Sequence, residues 1–85
     1  MEERERIIEC VRELLESHNA KRAKIGFVYG FYWGTKIREI LLEGDSILLL
    51  SNQRLLYDAE YISIDILIAL YHYLFEDGGK IEYVE

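Results

Sequence analysis

The side chains with acid–base or metal-binding chemistry are few and widely spaced in this 85-residue chain. His72 and Glu76 are four residues apart, which places them on one face of a helix, and Asp65 falls on the same stripe. An imidazole and two carboxylates can bind a metal ion, but two or three ligands leave its coordination incomplete. The spacing therefore favours a solvated polar stripe, and we predict no metal, no cofactor and no catalytic residue.

The nucleophilic side chains lack the neighbours that would activate them. Cys10 is the single cysteine, borders an apolar stripe and has no histidine near it in sequence, which is typical of a buried, inert thiol. One cysteine also excludes a disulfide framework and indicates a reducing compartment. The glycines at 26, 30 and 34 lack the lysine-serine ending of a phosphate-binding loop. We therefore predict a protein that is not an enzyme.

The basic residues are concentrated in one part of an acidic chain. The net charge is −6, yet residues 20–38 include five basic and no acidic side chains, together with five aromatic rings. Rings that stack on bases and cations that meet phosphates form single-stranded nucleic-acid surfaces. The candidate binding residues are Lys21, Arg22, Lys24, Tyr29, Tyr32, Trp33, Lys36 and Arg38. The competing interpretation is that the rings belong to the core, because large aromatic side chains on a strand are usually buried.

Hydrophobic spacing predicts two helices. Apolar residues recur at helical spacing over residues 3–18, and this helix should end near His18-Asn19. A second helix is predicted over residues 64–76. Ser63 is suited to cap its start, and Gly78-Gly79 should stop it.

Alternation with a period of two predicts strands between the helices. Residues 24–33 place large side chains on one face and glycines on the other, so we expect close packing or a bend there. Residues 36–42 and 46–51 read as a hairpin, although 36–42 also fits a short helix. Residues 55–62 and 81–83 complete the strands. The predicted fold is one two-layer α+β domain over residues 1–85, a mainly antiparallel four- to five-stranded sheet with two helices in the order α-β-β-β-(β)-α-β.

The second predicted helix carries more apolar surface than one sheet can cover. On a helical wheel, apolar side chains fill more than half of the circumference, whereas a helix on a sheet needs an arc of only about 100°. We therefore predict that a second copy or another protein covers the excess. The predicted interface residues are Ile66, Leu67, Leu70, Tyr71, Tyr73 and Leu74. The alternative is that the first helix and the loops cover this surface.

These features predict an interaction module, either a homodimer or a small subunit of a complex, with a nucleic-acid-binding regulator as the second hypothesis. The charged N-terminus does not resemble a signal peptide, and no apolar run approaches the roughly 18 residues of a membrane span. We therefore expect a soluble cytoplasmic protein without a membrane partner. The scarcity of Asn and Gln resembles proteins of heat-loving organisms.

Overall fold

The computed structural model describes residues 2–30 and 34–84. These residues form two helices and five strands, which are α1 Glu3–Ser17, β1 Arg22–Tyr29, β2 Thr35–Glu43, β3 Ser46–Ser51, β4 Arg54–Asp58, α2 Ile64–Phe75 and β5 Ile81–Val84. The strands form one sheet in the order β4-β3-β2-β1-β5, and each neighbouring pair is antiparallel. The predicted α+β fold is confirmed, and residues 36–42 belong to a strand.

Both helices pack on the same face of the sheet. The buried side chains of α1 and α2 form a single core with those of β1, β2 and β3. From the sheet this core receives Ala23, Ile25, Phe27, Ile37, Ile40, Ile47 and Leu49. Within the described residues, neither helix has the length and apolar character that a membrane crossing requires.

The α1 helix ends where its sequence predicts, through a left-handed residue. Asn19 has φ 53°. Its N–H donates to the carbonyl of Glu16, and the N–H of Ala20 donates to the carbonyl of Leu15, each at 3.0 Å. This is the Schellman arrangement, which satisfies the last carbonyls of a helix. The chain then turns directly into β1, so Lys21 immediately precedes the strand and Arg22 is its first residue.

Two predicted features of the β4–α2 connection differ from the structure. The strand predicted over residues 55–62 ends at Asp58, because the N–H groups of Tyr61 and Ile62 donate to the Asp58 carbonyl and close a turn. The Asp58 carboxylate also accepts the N–H of Glu60. Ser63 occupies the N-cap position, but its side chain makes no capping hydrogen bond. Its carbonyl instead accepts the N–H of Leu67.

Of the glycines in the predicted strand only Gly26 lies in β1, where a Cβ would meet nothing closer than the Tyr73 hydroxyl at 3.9 Å. The close approach is instead at Gly34, between β1 and β2. A Cβ on Gly34 would lie 2.5 Å from the carbonyl oxygen of Tyr29 and 2.9 Å from the carbonyl carbon of Gly30. The backbone therefore passes close to itself where the β1–β2 hairpin closes. Between Lys24 and Phe27, around Gly26, the register between β1 and β2 shifts. Residues 31–33, the end of the predicted strand, lie outside the described residues.

Tyr73 connects α2 to the sheet. Its hydroxyl accepts the N–H of Gly26 at 3.1 Å and donates to the carbonyl of Lys80 at 2.8 Å. Its ring meets Phe27 edge-on, with ring centroids 5.7 Å apart. On the side of β5 the same ring lies against the backbone of Gly79.

Gly79→Ala is expected to lower the free energy of unfolding by about 1–3 kcal/mol, because overpacking forces ring and backbone apart. The new Cβ would lie 2.5 Å from the Tyr73 ring. Gly26→Ala is the matched control, since its Cβ would meet nothing closer than the Tyr73 hydroxyl at 3.9 Å. Urea denaturation gives the free energy of unfolding of both variants, and equal values would contradict the packing of Tyr73 on Gly79.

Candidate interaction surface

The face of the sheet opposite the helices is uncovered within the described residues, and we call it the open face. Residues paired across antiparallel strands share a face. The positions that alternate with buried Ala23, Ile40 and Leu49 therefore belong to the open face. One row across it contains Val84, Arg22, Leu41, Leu48 and Asp58. The next row contains Glu82, Lys24, Glu39, Leu50 and Leu55.

The β3 strand is apolar on both of its faces. Ile47 and Leu49 are buried under the helices, whereas Leu48 and Leu50 are half-buried on the open face. An antiparallel sheet with one face in water normally alternates apolar and polar residues, and an unbroken apolar run is typical of a strand covered on both sides. The sequence predicts this run as one arm of a hairpin, and its lack of polar alternation is the signal that could have pointed to an apolar patch on the open face.

Four leucines make the apolar patch of the open face continuous. Leu41 pairs with Leu48, Leu50 pairs with Leu55, and Leu48 and Leu50 are two residues apart on β3. Leu55 is 60% exposed at the edge of the sheet. Leu41, Leu48 and Leu50 are half-buried, so this patch is partly accessible to water.

Charged side chains occupy the β1–β5 half of the open face. Arg22 and Lys24 alternate there with Glu39 and Glu82, and the Arg22 Nε lies 3.4 Å from the Glu39 carboxylate. Lys36 adds a further cation, since it pairs with Val28 on the same face. The charge of the face is therefore close to balance, in contrast to the net −6 of the chain.

The structure brings together only part of the predicted nucleic-acid-binding residues. Lys21, Arg22, Lys24, Lys36 and Arg38 are all exposed. Arg22 and Lys24 lie on the open face with Glu39 and Glu82 as neighbours, whereas Lys36 pairs with Val28 beyond the register shift. Tyr29 is 39% exposed but alternates with Val28, so it lies on the helix side of β1. Tyr32 and Trp33 lie outside the described residues.

Much of the apolar surface of α2 is covered within the single chain. Leu67, Leu70 and Leu74 are buried in the core, so they offer no accessible surface to a partner. Tyr73 is half-buried and held by the contacts with β1 and Lys80. Of the predicted interface, Ile66 and Tyr71 remain, both half-buried.

The flank of α2 next to α1 keeps some accessible apolar surface. Tyr71 lines a groove of ≈ 250 Å³ together with Glu3, Arg6, Ile7 and Cys10 of α1. Phe75 is 38% exposed and packs on the Tyr71 ring at a centroid distance of 4.8 Å. The α1 helix therefore covers part of the apolar surface of α2, as the alternative interpretation of the sequence proposed.

Both histidines make local side-chain contacts. His72 contacts the Glu76 carboxylate on the outer stripe of α2, and Asp65 is exposed on the same stripe. Within residues 2–30 and 34–84, no three His, Cys, Asp or Glu side chains are grouped to hold a metal ion. The His18 ring stacks on Tyr83 with centroids 3.8 Å apart. Burial raises the pKa of the Tyr83 hydroxyl above its ordinary value.

No protein-family model, curated protein or solved structure matches this chain. The fold and the surface define its class as a two-layer α+β domain with one open, partly apolar sheet face.

Proposed function

We propose that this chain is a non-enzymatic protein-interaction module that forms a homodimer by stacking two open faces. The observation that supports this most strongly is the unbroken apolar run of β3, Ile47–Leu50, whose outer leucines face no helix within the described residues. Stacked sheets about 10 Å apart are the ordinary way in which proteins cover such a face. The dimer would then have four layers, with the two stacked sheets inside and one helical layer on each outer side.

Charge favours a second copy on the open face over contact through the helices. The α1 helix contains five glutamates and three arginines, and Asp65 and Glu76 add negative charge on the exposed side of α2. Two helical layers in contact would therefore place like charges opposite each other, which costs free energy. The open face is close to charge balance, so a second identical face is not repelled.

The area of the open face is close to what a specific dimer needs. Five strands span about 24 Å, and their lengths of four to nine residues average about 21 Å, so stacking would bury on the order of 500 Å² per copy. The total is about the 1,000 Å² expected of a specific interface. A short chain also gains from the added core, because a domain of this size buries only about 60–65% of its unfolded surface.

Sedimentation equilibrium over a wide concentration range tests the proposal. We expect the mass to rise from the 10.1 kDa of one chain to about twice that value. The thermal midpoint should rise with concentration over the same range, because association stabilises the folded state. A single-chain mass up to millimolar concentration would exclude the homodimer.

Single-stranded nucleic acid is the second candidate for the same face. It is favoured by the exposed Arg22, Lys24 and Lys36, which share the open face. The nearby Glu39 and Glu82 weaken it, because carboxylates repel phosphates. A rise in the fluorescence anisotropy of a dye-labelled oligonucleotide, fading as salt rises, would support this candidate, and unchanged anisotropy at low salt would exclude it.

A further inference from the structure

The β4 strand forms one edge of the sheet. Among residues 2–30 and 34–84 no strand lies beyond it, so the outer side of its backbone has no strand partner. Such an edge is a template for pairing with another chain, and lysine or proline on the strand often prevents this. The five residues of β4, Arg54–Asp58, include neither. Leu55 and Leu56 are 60% and 40% exposed, so this edge is apolar as well as open.

One residue of β4 has no partner on β3. Leu55 is opposite Leu50, and Tyr57 is opposite Leu49, which is the next residue along β3. Leu56 is therefore an extra residue between two consecutive pairs. This is a β-bulge, which leaves one residue unpaired and bends the strand that contains it.

Contacts at both ends of β4 hold the bulge in place. The two-residue turn that follows β3 has positive φ at both positions and sets Arg54 opposite Ser51. Just beyond the other end, the N–H of Ala59 donates to the carbonyl of Ile47 at 2.9 Å. Five residues of β4 therefore lie opposite four residues of β3.

We infer that the Leu56 bulge prevents a second copy of this chain from adding its own β4 to this edge. The backbone groups of a regular strand alternate between its two sides, and an added strand needs that even spacing. The bulge interrupts the alternation in the middle of β4, so only two residues on each side of it keep a regular partner.

A regular β4 would be compatible with itself. Two copies related by a two-fold axis perpendicular to the sheet would pair β4 with β4 and join two five-stranded sheets into one. The edge is uncovered in a monomer and would be uncovered in a stack of open faces, so this inference does not rest on the proposed function.

Deletion of Leu56 tests the inference. It leaves four residues of β4 opposite four of β3, with Leu55, Tyr57 and Asp58 still opposite their present partners. At the same concentration the variant is expected to have at least about twice the mass of the unchanged chain, measured by sedimentation velocity. Leu56→Ala is the matched control, because it shortens the exposed side chain and keeps the extra residue. It should leave the mass unchanged.

A folded deletion variant with the mass of the unchanged chain would overturn the inference, and circular dichroism shows whether the variant folds. If the unchanged chain is a monomer, the proposed function fails, whereas a dimeric deletion variant would still support the bulge as the block.

Hydrogen exchange in the unchanged chain gives a second test that does not require the variant. The N–H groups on the outer side of β4 are expected to exchange freely from micromolar to millimolar concentration, because no strand accepts them. Free exchange would support the inference even if the deletion variant did not fold. Protection that grows with concentration and is confined to β4 would show that the edge pairs despite the bulge, and would overturn it.

Discussion

Leu48→Lys is expected to keep the chain monomeric at concentrations where the unchanged chain is a dimer. Leu48 lies on the open face between Leu41 and Asp58 in the strand register. In the proposed dimer, each copy would lose a buried leucine and enclose an ammonium group. Leu48 is already half-buried in the single chain, so each copy loses about half of the roughly 1.5–3 kcal/mol that full burial of a leucine contributes. The losses from both copies and the two enclosed ammonium groups together should raise the dissociation constant more than about 100-fold.

The variant should still fold, because the new lysine would lie opposite Asp58 on a face that is wet in the monomer. Phe75→Lys is the matched control on α2, where Phe75 is 38% exposed. It should leave the mass unchanged at each concentration. If Phe75→Lys dissociates the dimer and Leu48→Lys does not, the contact is made through α2, as the helical wheel first indicated.

Leu70→Ala is expected to lower the free energy of unfolding of the single chain by about 2–5 kcal/mol. Leu70 is 0% exposed and lies in the core between α2 and the sheet. Truncation removes its buried methyl groups and leaves a cavity that the neighbours fill only in part. Urea denaturation at a concentration too low for dimerisation isolates this effect.

Ile66→Ala is the control for Leu70→Ala, because Ile66 is on the same helix and only half-buried. It should cost less than half as much, since less apolar area leaves water on folding. The role of Leu70 in the single-chain core would be contradicted if its truncation left dilute unfolding unchanged and weakened dimerisation instead.

The elements of the fold could be predicted because their signals are local. Apolar residues at helical spacing identify α1 and α2, and the strand order along the chain follows from alternation and from the turn at Gly44. The end of β4 could not be predicted. It depends on a turn in which the Asp58 carbonyl and carboxylate accept N–H groups. The residues of that turn include types that are common in strands, such as Tyr61 and Ile62.

The candidate surface was predicted less well than the fold, because exposure depends on contacts between distant parts of the chain. A helical wheel of α2 shows which of its residues are apolar, but it does not show which other parts of the chain cover them. That cover includes α1 beside Tyr71 and the Gly79 backbone beside Tyr73. The run Ile47–Leu50 was visible in the sequence. Which side of β3 lacks a helix depends on how both helices pack, and this is a property of the whole fold.

Isotope-filtered NMR on a mixture of labelled and unlabelled chains tests the stacking of open faces most directly. Intermolecular NOEs are expected to the methyl groups of Leu41, Leu48 and Leu50, which belong to the open face. NOEs that instead connect the side chains of α2, such as Phe75, or the absence of any intermolecular NOE at high concentration, would contradict it.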